Sequence, residues 1–133
     1  MHKDNIVLIG MPGVGKSTVG VILAKVMGYQ FIDADLLIQQ QEKRLLHEII
    51  ADVGVDGFIQ VENRVNASIQ AERSIIATGG SVVYGREAME HLKSIGTVIY
   101  LKVPYAELEK RLDIISRKFT REEIQNNNEL FNE

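Results

Sequence analysis

The chain has 133 residues, a formal net charge of −3, 45% hydrophobic residues and 25% charged residues. This composition is that of an ordinary globular protein and excludes a wholly disordered chain. Cysteine is absent, which excludes a disulfide scaffold and a thiolate metal site.

Length and charge also indicate how many domains the chain forms and which partners are unfavoured. A chain of this length is expected to form one domain, residues 1–133. No apolar run approaches the ~20 residues that a membrane-spanning helix needs, and the mild acidity disfavours nucleic acid as the main partner. We therefore expect a cytoplasmic protein with neither a membrane nor a nucleic acid partner.

Short apolar runs alternate with segments of helical periodicity along the chain. The periodicity predicts, in chain order, strand 6–9, helix 16–27, strand 31–33, helix 36–51, helix 58–69, strand 74–77, helix 86–93 and strand 97–101. Gly54 and Gly57 are expected to separate the second helix from the third, and Pro104 to precede a further helix. This alternation predicts an α/β protein, a three-layer α/β/α fold with a parallel sheet of four strands.

The segment from Gly10 to Ser17, GMPGVGKS, matches the phosphate-loop pattern G-x-x-x-x-G-K-[ST] in full. Glycines let backbone N–H groups point at phosphates, and the following helix adds the positive end of its dipole. Lys16 is expected near the β- and γ-phosphates of ATP, and Ser17 is expected to offer a hydroxyl ligand to Mg²⁺. The candidate ATP-binding residues are Gly13, Val14, Gly15, Lys16, Ser17 and Thr18. The alternative is a glycine-rich turn beside a surface lysine.

Two carboxylates, Asp33 and Asp35, follow the second predicted strand. Ligands of open α/β sheets bind outside the carboxyl ends of the strands, and we expect the phosphate loop on the strand next to this one. One carboxylate can position Mg²⁺, and the other can accept a hydrogen bond from a substrate hydroxyl and assist its deprotonation. The alternative is structural: Asp35 caps the next helix and Asp33 is a turn residue.

Two adjacent glycines, Gly79 and Gly80, follow the third predicted strand. Glycine permits close approach of the backbone to a ligand, and this strand is expected near the phosphate loop. We therefore predict that both residues border the substrate, with Ser81 as a cap or an extra polar contact. An ordinary tight turn is the alternative.

These segments together resemble the shikimate kinases, small P-loop kinases of the nucleoside-monophosphate-kinase type. The resemblance runs from Ile6 to about Leu112 and includes the phosphate loop, Phe31–Asp35 as F-x-D-x-D, and Ile76–Gly80. It implies that Asp33 helps to position Mg²⁺, Asp35 binds shikimate hydroxyls, and Gly79 and Gly80 contribute to substrate binding. The implied reaction transfers the γ-phosphoryl group of ATP to the 3-hydroxyl of shikimate.

The chain departs from the family pattern at three places. Ile59 stands where the F-R-x-x-E segment has the arginine that pairs with the shikimate carboxylate, and Arg64 is the nearest candidate to replace it. Ser81 stands where a third glycine is usual. Residues 113–133 lack the usual lid motif and fifth strand, and we expect a lid-like or irregular segment at about 113–128. A shortened kinase chain, a kinase for another small polyol, and an ATP-binding protein without kinase activity all stay open.

Basic residues cluster between positions 110 and 121. Phosphoryl transfer needs cations near the migrating charge, often supplied by a mobile lid, and Arg117 is the candidate for this role. Arg111 is a candidate to stack on adenine. The alternative is a solvated helix face. An unpaired strand at the sheet edge invites association of two chains, so we expect a monomer or a weak homodimer.

Overall fold

A computed structural model describes residues 4–10 and 15–102. In this part of the chain, four parallel strands form one sheet in the order β2-β3-β1-β4. The strands are β1 (Asn5–Ile9), β2 (Gln30–Asp33), β3 (Ser74–Ala77) and β4 (Gly96–Tyr100). The helices are α1 (Lys16–Met27), α2 (Ala34–Glu42), α3 (Leu46–Ala67) and α4 (Arg86–Ile95), and a 3-10 turn spans Val82–Tyr84. The predicted α/β fold with a parallel sheet of four strands is confirmed.

The strand order corrects one expectation from the sequence. Strand β3 lies between β1 and β2, so the strand with the carboxylates is not adjacent to the strand with the phosphate loop. The connection through α1 places β2 one strand position away from β1, and β3 later occupies the position between them. Apolar runs reveal where strands occur but not their lateral order, which depends on the crossovers. The prediction that β3 lies beside the phosphate-loop strand is confirmed.

The helical segment predicted at 36–51 is broken earlier than expected. Helix α2 ends at Glu42, and Lys43 takes a left-handed conformation (φ 56°). Helix α3 then runs from residue 46 to residue 67 with a kink at Gly54, whose φ is 78°. The sequence predicts that Gly57 breaks the helix, but Gly57 lies inside α3. A Cβ at Gly57 would be 2.7 Å from the Val53 Cβ, so close packing within the helix accounts for this glycine.

Alternate residues of the strands supply the hydrophobic cores on the two faces of the sheet. Val7, Ile9 and Ile76 pack on one face in a cluster with Leu92 of α4. The intervening residues of these strands, such as Leu8, pack in a cluster with Ala24 of α1. This alternation is the two-residue period of a strand covered on both faces. A third cluster, Ile38, Ile49, Phe58 and Val65, joins α2 to α3. In the described residues, no helix has the length and apolar character required to span a bilayer.

The buried amide of Asn5 joins segments at the amino ends of the strands. Its Nδ2 donates to the carbonyl oxygens of Ala71 (2.9 Å) and Ile95 (2.8 Å), and its Oδ1 accepts from the N–H of Ser74 (3.0 Å). Asn5 is 1% exposed, so these backbone groups rely on the side chain rather than on bulk solvent for their partners. The amide therefore supports β1, β3 and the end of α4 together.

We expect Asn5→Ala to lower the free energy of unfolding by about 2–4 kcal/mol, because it leaves buried backbone groups without partners. Urea denaturation measures this change. The control is Gln30→Ala, at an exposed position on β2, which should change stability by less than about 0.5 kcal/mol. A loss for Asn5→Ala no larger than that of the control contradicts the role assigned to the amide.

Candidate active site

A cleft of about 400 Å³ opens at the carboxyl ends of the strands. Three segments that are distant in sequence line it: the start of α1, the start of α2 and the loop after β3. The lining residues are Gly15, Lys16, Ser17, Thr18, Asp35, Thr78, Gly79 and Gly80. One site therefore brings together three sets of residues predicted from the sequence: the phosphate-loop residues from Gly15 onward, Asp35, and the glycines Gly79 and Gly80.

Lys16 lies at the start of α1 and is 8% exposed. Its ammonium donates a hydrogen bond to the carbonyl oxygen of Gly10 (2.6 Å), where the chain leaves β1. Burial lowers the pKa of Lys16, and the carboxylates of Asp35 and Glu62 act in the opposite direction. The preceding residue, Gly15, has φ 86°, a left-handed conformation that favours glycine. The cation is thus held inside the cleft rather than in solvent.

Asp33 caps α2, the role that the structural alternative gave to Asp35. Its Oδ1 accepts from the N–H groups of Asp35 (2.9 Å) and Leu36 (3.3 Å). An aspartate in this position satisfies N–H groups that the first helical turn leaves without partners. Asp33 therefore directs α2 so that Asp35, in its first turn, lines the cleft.

The carboxyl of Asp35 is in an unusual electrostatic environment. Burial raises its pKa, the nearby Asp33 raises it further, and Lys16 partly offsets both effects. A raised pKa is typical of carboxyl groups that exchange protons during catalysis, although structural networks produce it too. Asp35 thus lines the cleft with a carboxyl group whose pKa is raised.

The loop after β3 is held close to the phosphate-loop strand and to Asp35. Thr78 donates through its hydroxyl (2.8 Å) and its N–H (3.1 Å) to the carbonyl oxygen of Leu8. A Cβ at Gly79 would collide with Oε2 of Glu62 and would lie 2.9 Å from Oδ1 of Asp35. Only glycine fits this position without displacing one of the two carboxylates.

Glu62 is a buried residue behind the cleft that the sequence analysis did not select. It lies on α3, is 1% exposed, and accepts a hydrogen bond from the Ser81 hydroxyl at 2.5 Å. Burial raises its pKa most, the Ser81 hydrogen bond lowers it, Asp35 raises it and Lys16 lowers it. Two signals were available. Glu62 is the glutamate of the segment compared with F-R-x-x-E, and it shares one buried face of α3 with Phe58 and Val65, where a glutamate needs a polar partner.

Several predicted site residues lie outside the described part of the chain. These are Gly13 and Val14 of the phosphate loop, Arg111, Arg117 and the lid-like segment at 113–128. Their roles stay predictions.

Comparison with known proteins assigns the chain to a family. The family model for "Shikimate kinase" matches residues 12–133. The chain belongs to the shikimate kinase family. A shikimate kinase of Clostridium botulinum is 39% identical over 130 residues, which are 96% of this chain and 75% of that protein. Shikimate kinase 2 of Yersinia pseudotuberculosis is 38% identical over 109 residues, 82% of this chain and 63% of that protein.

A solved structure supports the same assignment. The shikimate kinase from Acinetobacter baumannii in complex with shikimate aligns with a TM-score of 0.70 and 34% identity. The alignment covers 80% of this chain and 60% of that one. The chain therefore spans between three fifths and three quarters of the length of these relatives.

Arg64, the candidate to replace the arginine that is missing at Ile59, is not among the described residues that line the cleft. Its Nη2 forms an ion pair with Oε1 of Glu42 at 2.6 Å, and its side chain is 60% exposed. Arg64 is two residues beyond Glu62, a rotation of roughly 200° on a helix, so the two side chains leave α3 on different faces. Among the described residues that line the cleft, Lys16 is the one cation.

We expect Glu62→Gln to raise the free energy of unfolding at about pH 8. A carboxyl with a raised pKa in the folded state binds protons better when folded, so its ionised form lowers stability above that pKa. The gain should shrink as the pH falls towards 4.5, the ordinary pKa of a glutamate. Urea denaturation at a series of pH values measures it.

Glu90→Gln is the control for this measurement. Glu90 has a 67% exposed side chain paired with Arg86, and its substitution should change stability by less than about 0.5 kcal/mol. If Glu62→Gln is destabilising at the upper end of the pH series, burial of the ionised carboxylate is not costly and the electrostatic account is wrong.

Proposed function

We propose that the chain is an ATP-dependent kinase that transfers the γ-phosphoryl group of ATP to the 3-hydroxyl of shikimate, giving shikimate 3-phosphate. One observation carries the proposal: the phosphate-loop residues Lys16 and Ser17 line the same cleft as the Asp35 carboxylate. Membership of the shikimate kinase family supports it. So does the structural similarity to a shikimate kinase in complex with shikimate.

The nucleotide half of the proposed site consists of residues 13–18. Backbone N–H groups at Gly13, Val14 and Gly15 receive the phosphates, and the α1 dipole favours their negative charge. Lys16 stabilises the charge of the migrating phosphoryl group. Thr18 lines the cleft beside Ser17, and Arg111 stacks on the adenine.

Mg²⁺ suits the donor set of the site, which offers oxygen ligands only. Ser17 at the cleft and Asp33 beside Asp35 are the residues that would hold it. Burial raises the pKa of Asp35 most, repulsion from Asp33 raises it further, and a divalent cation would relieve that repulsion. When bound, Mg²⁺ neutralises charge on the ATP phosphates.

The acceptor half consists of Asp35, Gly79 and Gly80, with Arg117 near the migrating charge. Asp35 orients the acceptor hydroxyl and takes its proton as the hydroxyl oxygen bonds to the γ-phosphorus. The bond from that phosphorus to the bridging oxygen breaks, and ADP leaves with the electron pair. Gly79 and Gly80 border the substrate with backbone atoms, because no side chain fits at Gly79.

Ile59 favours a second candidate, a kinase of the same type for a small polyol without a carboxylate. An arginine–carboxylate pair is among the strong polar contacts, and neither Ile59 nor the ion-paired Arg64 supplies one. Shikimate and an analogue lacking the carboxylate separate the two candidates. Tighter binding of shikimate supports the first, and equal affinity supports the second.

The remaining features of the proposal concern location and assembly. We place the enzyme in the cytoplasm, where ATP is supplied, acting on a small-molecule substrate as a monomer or weak homodimer. Neither nucleic acid nor a membrane takes part in the proposed reaction.

We expect Mg²⁺-dependent ADP release from ATP to be stimulated by saturating shikimate. Asp35→Asn should reduce the stimulated rate by about 10²–10⁴-fold, because it removes the proton acceptor, while ATP affinity changes little. A coupled ADP assay and equilibrium titration with ATP measure the two quantities.

Asp52→Asn is the matched control. Asp52 has a 62% exposed side chain and pairs with Arg44, and the variant should keep the wild-type rate. Binding of ATP without stimulation by shikimate or its analogue would refute kinase activity towards these two acceptors. A stimulated rate that survives Asp35→Asn would refute the role of Asp35.

A further inference from the structure

The Glu62 carboxylate lies behind the acceptor half of the cleft rather than in it. It is 1% exposed and is not among the residues that line the cleft. Its Oε2 faces Gly79 so closely that a Cβ there would collide with it, and the same Cβ would lie 2.9 Å from Asp35 Oδ1. Glu62, the Gly79 backbone and Asp35 are therefore packed in direct succession from the interior towards the substrate.

The packing of Glu62 against Gly79 and Asp35 requires a group that holds the Glu62 carboxylate in place. Like charge on Asp35 repels the Glu62 carboxylate, and burial removes the water that otherwise solvates it. The Ser81 hydroxyl supplies a donor, at 2.5 Å from Oε1. A hydrogen bond to a charged acceptor is stronger than one between neutral groups, so Ser81 opposes both effects directly.

The backbone at Ser81 does not itself explain the residue. Its φ of −107° and ψ of 11° are accessible to any amino acid, and its side chain makes no capping hydrogen bond to the 3-10 turn. The turn is held by main-chain bonds, such as that from the N–H of Tyr84 to the carbonyl oxygen of Ser81 (3.1 Å). The hydroxyl is thus available for Glu62, and the glycine usual in the family at this position offers no such donor.

We propose that Ser81 is a positioning residue for the acceptor half of the site: its hydroxyl fixes Glu62, and Glu62 in turn fixes Gly79 and Asp35. The kinetic consequence rests on the proposed function, whereas the contact itself does not. Small displacements of an oriented catalytic group are costly, since an error of about 1 Å can reduce a rate ~10²-fold. Loss of the hydroxyl should therefore affect use of the acceptor more than use of ATP.

The test compares Ser81→Ala, which removes the hydroxyl, with Ser81→Thr, which keeps it. We expect Ser81→Ala to lower kcat/KM for shikimate about tenfold and to leave the KM for ATP within about twofold. Ser81→Thr should restore most of the loss. Ser81→Gly repeats the deletion with the family's usual residue if the alanine variant does not fold.

A second readout follows the Glu62 carboxyl by ¹³C NMR during a pH titration. Within residues 4–10 and 15–102, Lys16 on α1 and Asp35 on α2 are the charged groups that face Glu62, and both remain in the variants. The Ser81 hydrogen bond lowers the pKa of Glu62, so Ser81→Ala should raise that pKa and Ser81→Thr should return it. The backbone resonances of Gly79 and Asp35 should shift with it. If Ser81 acted through packing alone, the pKa of Glu62 and the resonances of Gly79 and Asp35 would not shift together.

The outcomes separate the inference from the proposed function. If the wild type responds to shikimate and Ser81→Ala is unchanged in kcat/KM and in the Glu62 titration, the inference is overturned and the function stands. If the wild type does not respond to shikimate, the proposed function fails and the NMR readout decides the inference. Unchanged Gly79 and Asp35 signals in Ser81→Ala then overturn it, and the expected shifts support it.

Discussion

The main constraint on the site is electrostatic: the carboxyl groups of Asp35 and Glu62 lie close together and are largely buried. Each carboxylate is desolvated, each repels the other, and Lys16 is the cation that offsets both. Such an arrangement is stable only if every charge has partners of good geometry. Helices α1, α2 and α3 each contribute one of the three groups, so the relative placement of these helices is coupled to the electrostatics of the cleft.

Helix α3 supplies much of that coupling through consecutive polar residues. Glu62 bonds to Ser81, and the next residue, Asn63, accepts from the N–H of Ala88 (2.8 Å) and donates to Glu87 (2.8 Å). The loop after β3 and the start of α4 are thus both tied to one turn of α3. Gly79 lies within this clamped segment, which explains how a glycine without a side chain can still have a defined position in the site.

The sequence predicts those parts of the molecule that have local signals. Alternating runs predict the strands and the α/β class, and the phosphate-loop pattern predicts that Lys16 and Ser17 line a cleft at the start of α1. Asp35, Gly79 and Gly80 are predicted because carboxyl ends of parallel strands share one edge. The order of β1, β3 and β2 is not predicted, because it depends on crossovers that leave no mark in the strands themselves.

Other features depend on contacts between distant residues, and their local sequence is ambiguous. Asp33 and Asp35 are both plausible caps by composition, and only the path of the chain selects Asp33. The F-R-x-x-E pattern marks Glu62, but nothing in the local sequence reveals its partner Ser81, which is nineteen residues away. The end of α2 at Glu42 is likewise hidden, because residues 43–45 include neither glycine nor proline.

The described residues at the cleft carry more negative than positive charge, which disfavours the binding of an anionic nucleotide. Among the described residues, the carboxylates of Asp35 and Glu62 face one cation at the cleft, Lys16, and ATP would add further negative charge. In a medium of intermediate dielectric, roughly ε 20, two like charges 4 Å apart repel by about 4 kcal/mol. Further positive charge is therefore required when nucleotide binds. The Mg²⁺ proposed at Ser17 and Asp33 would supply part of that charge.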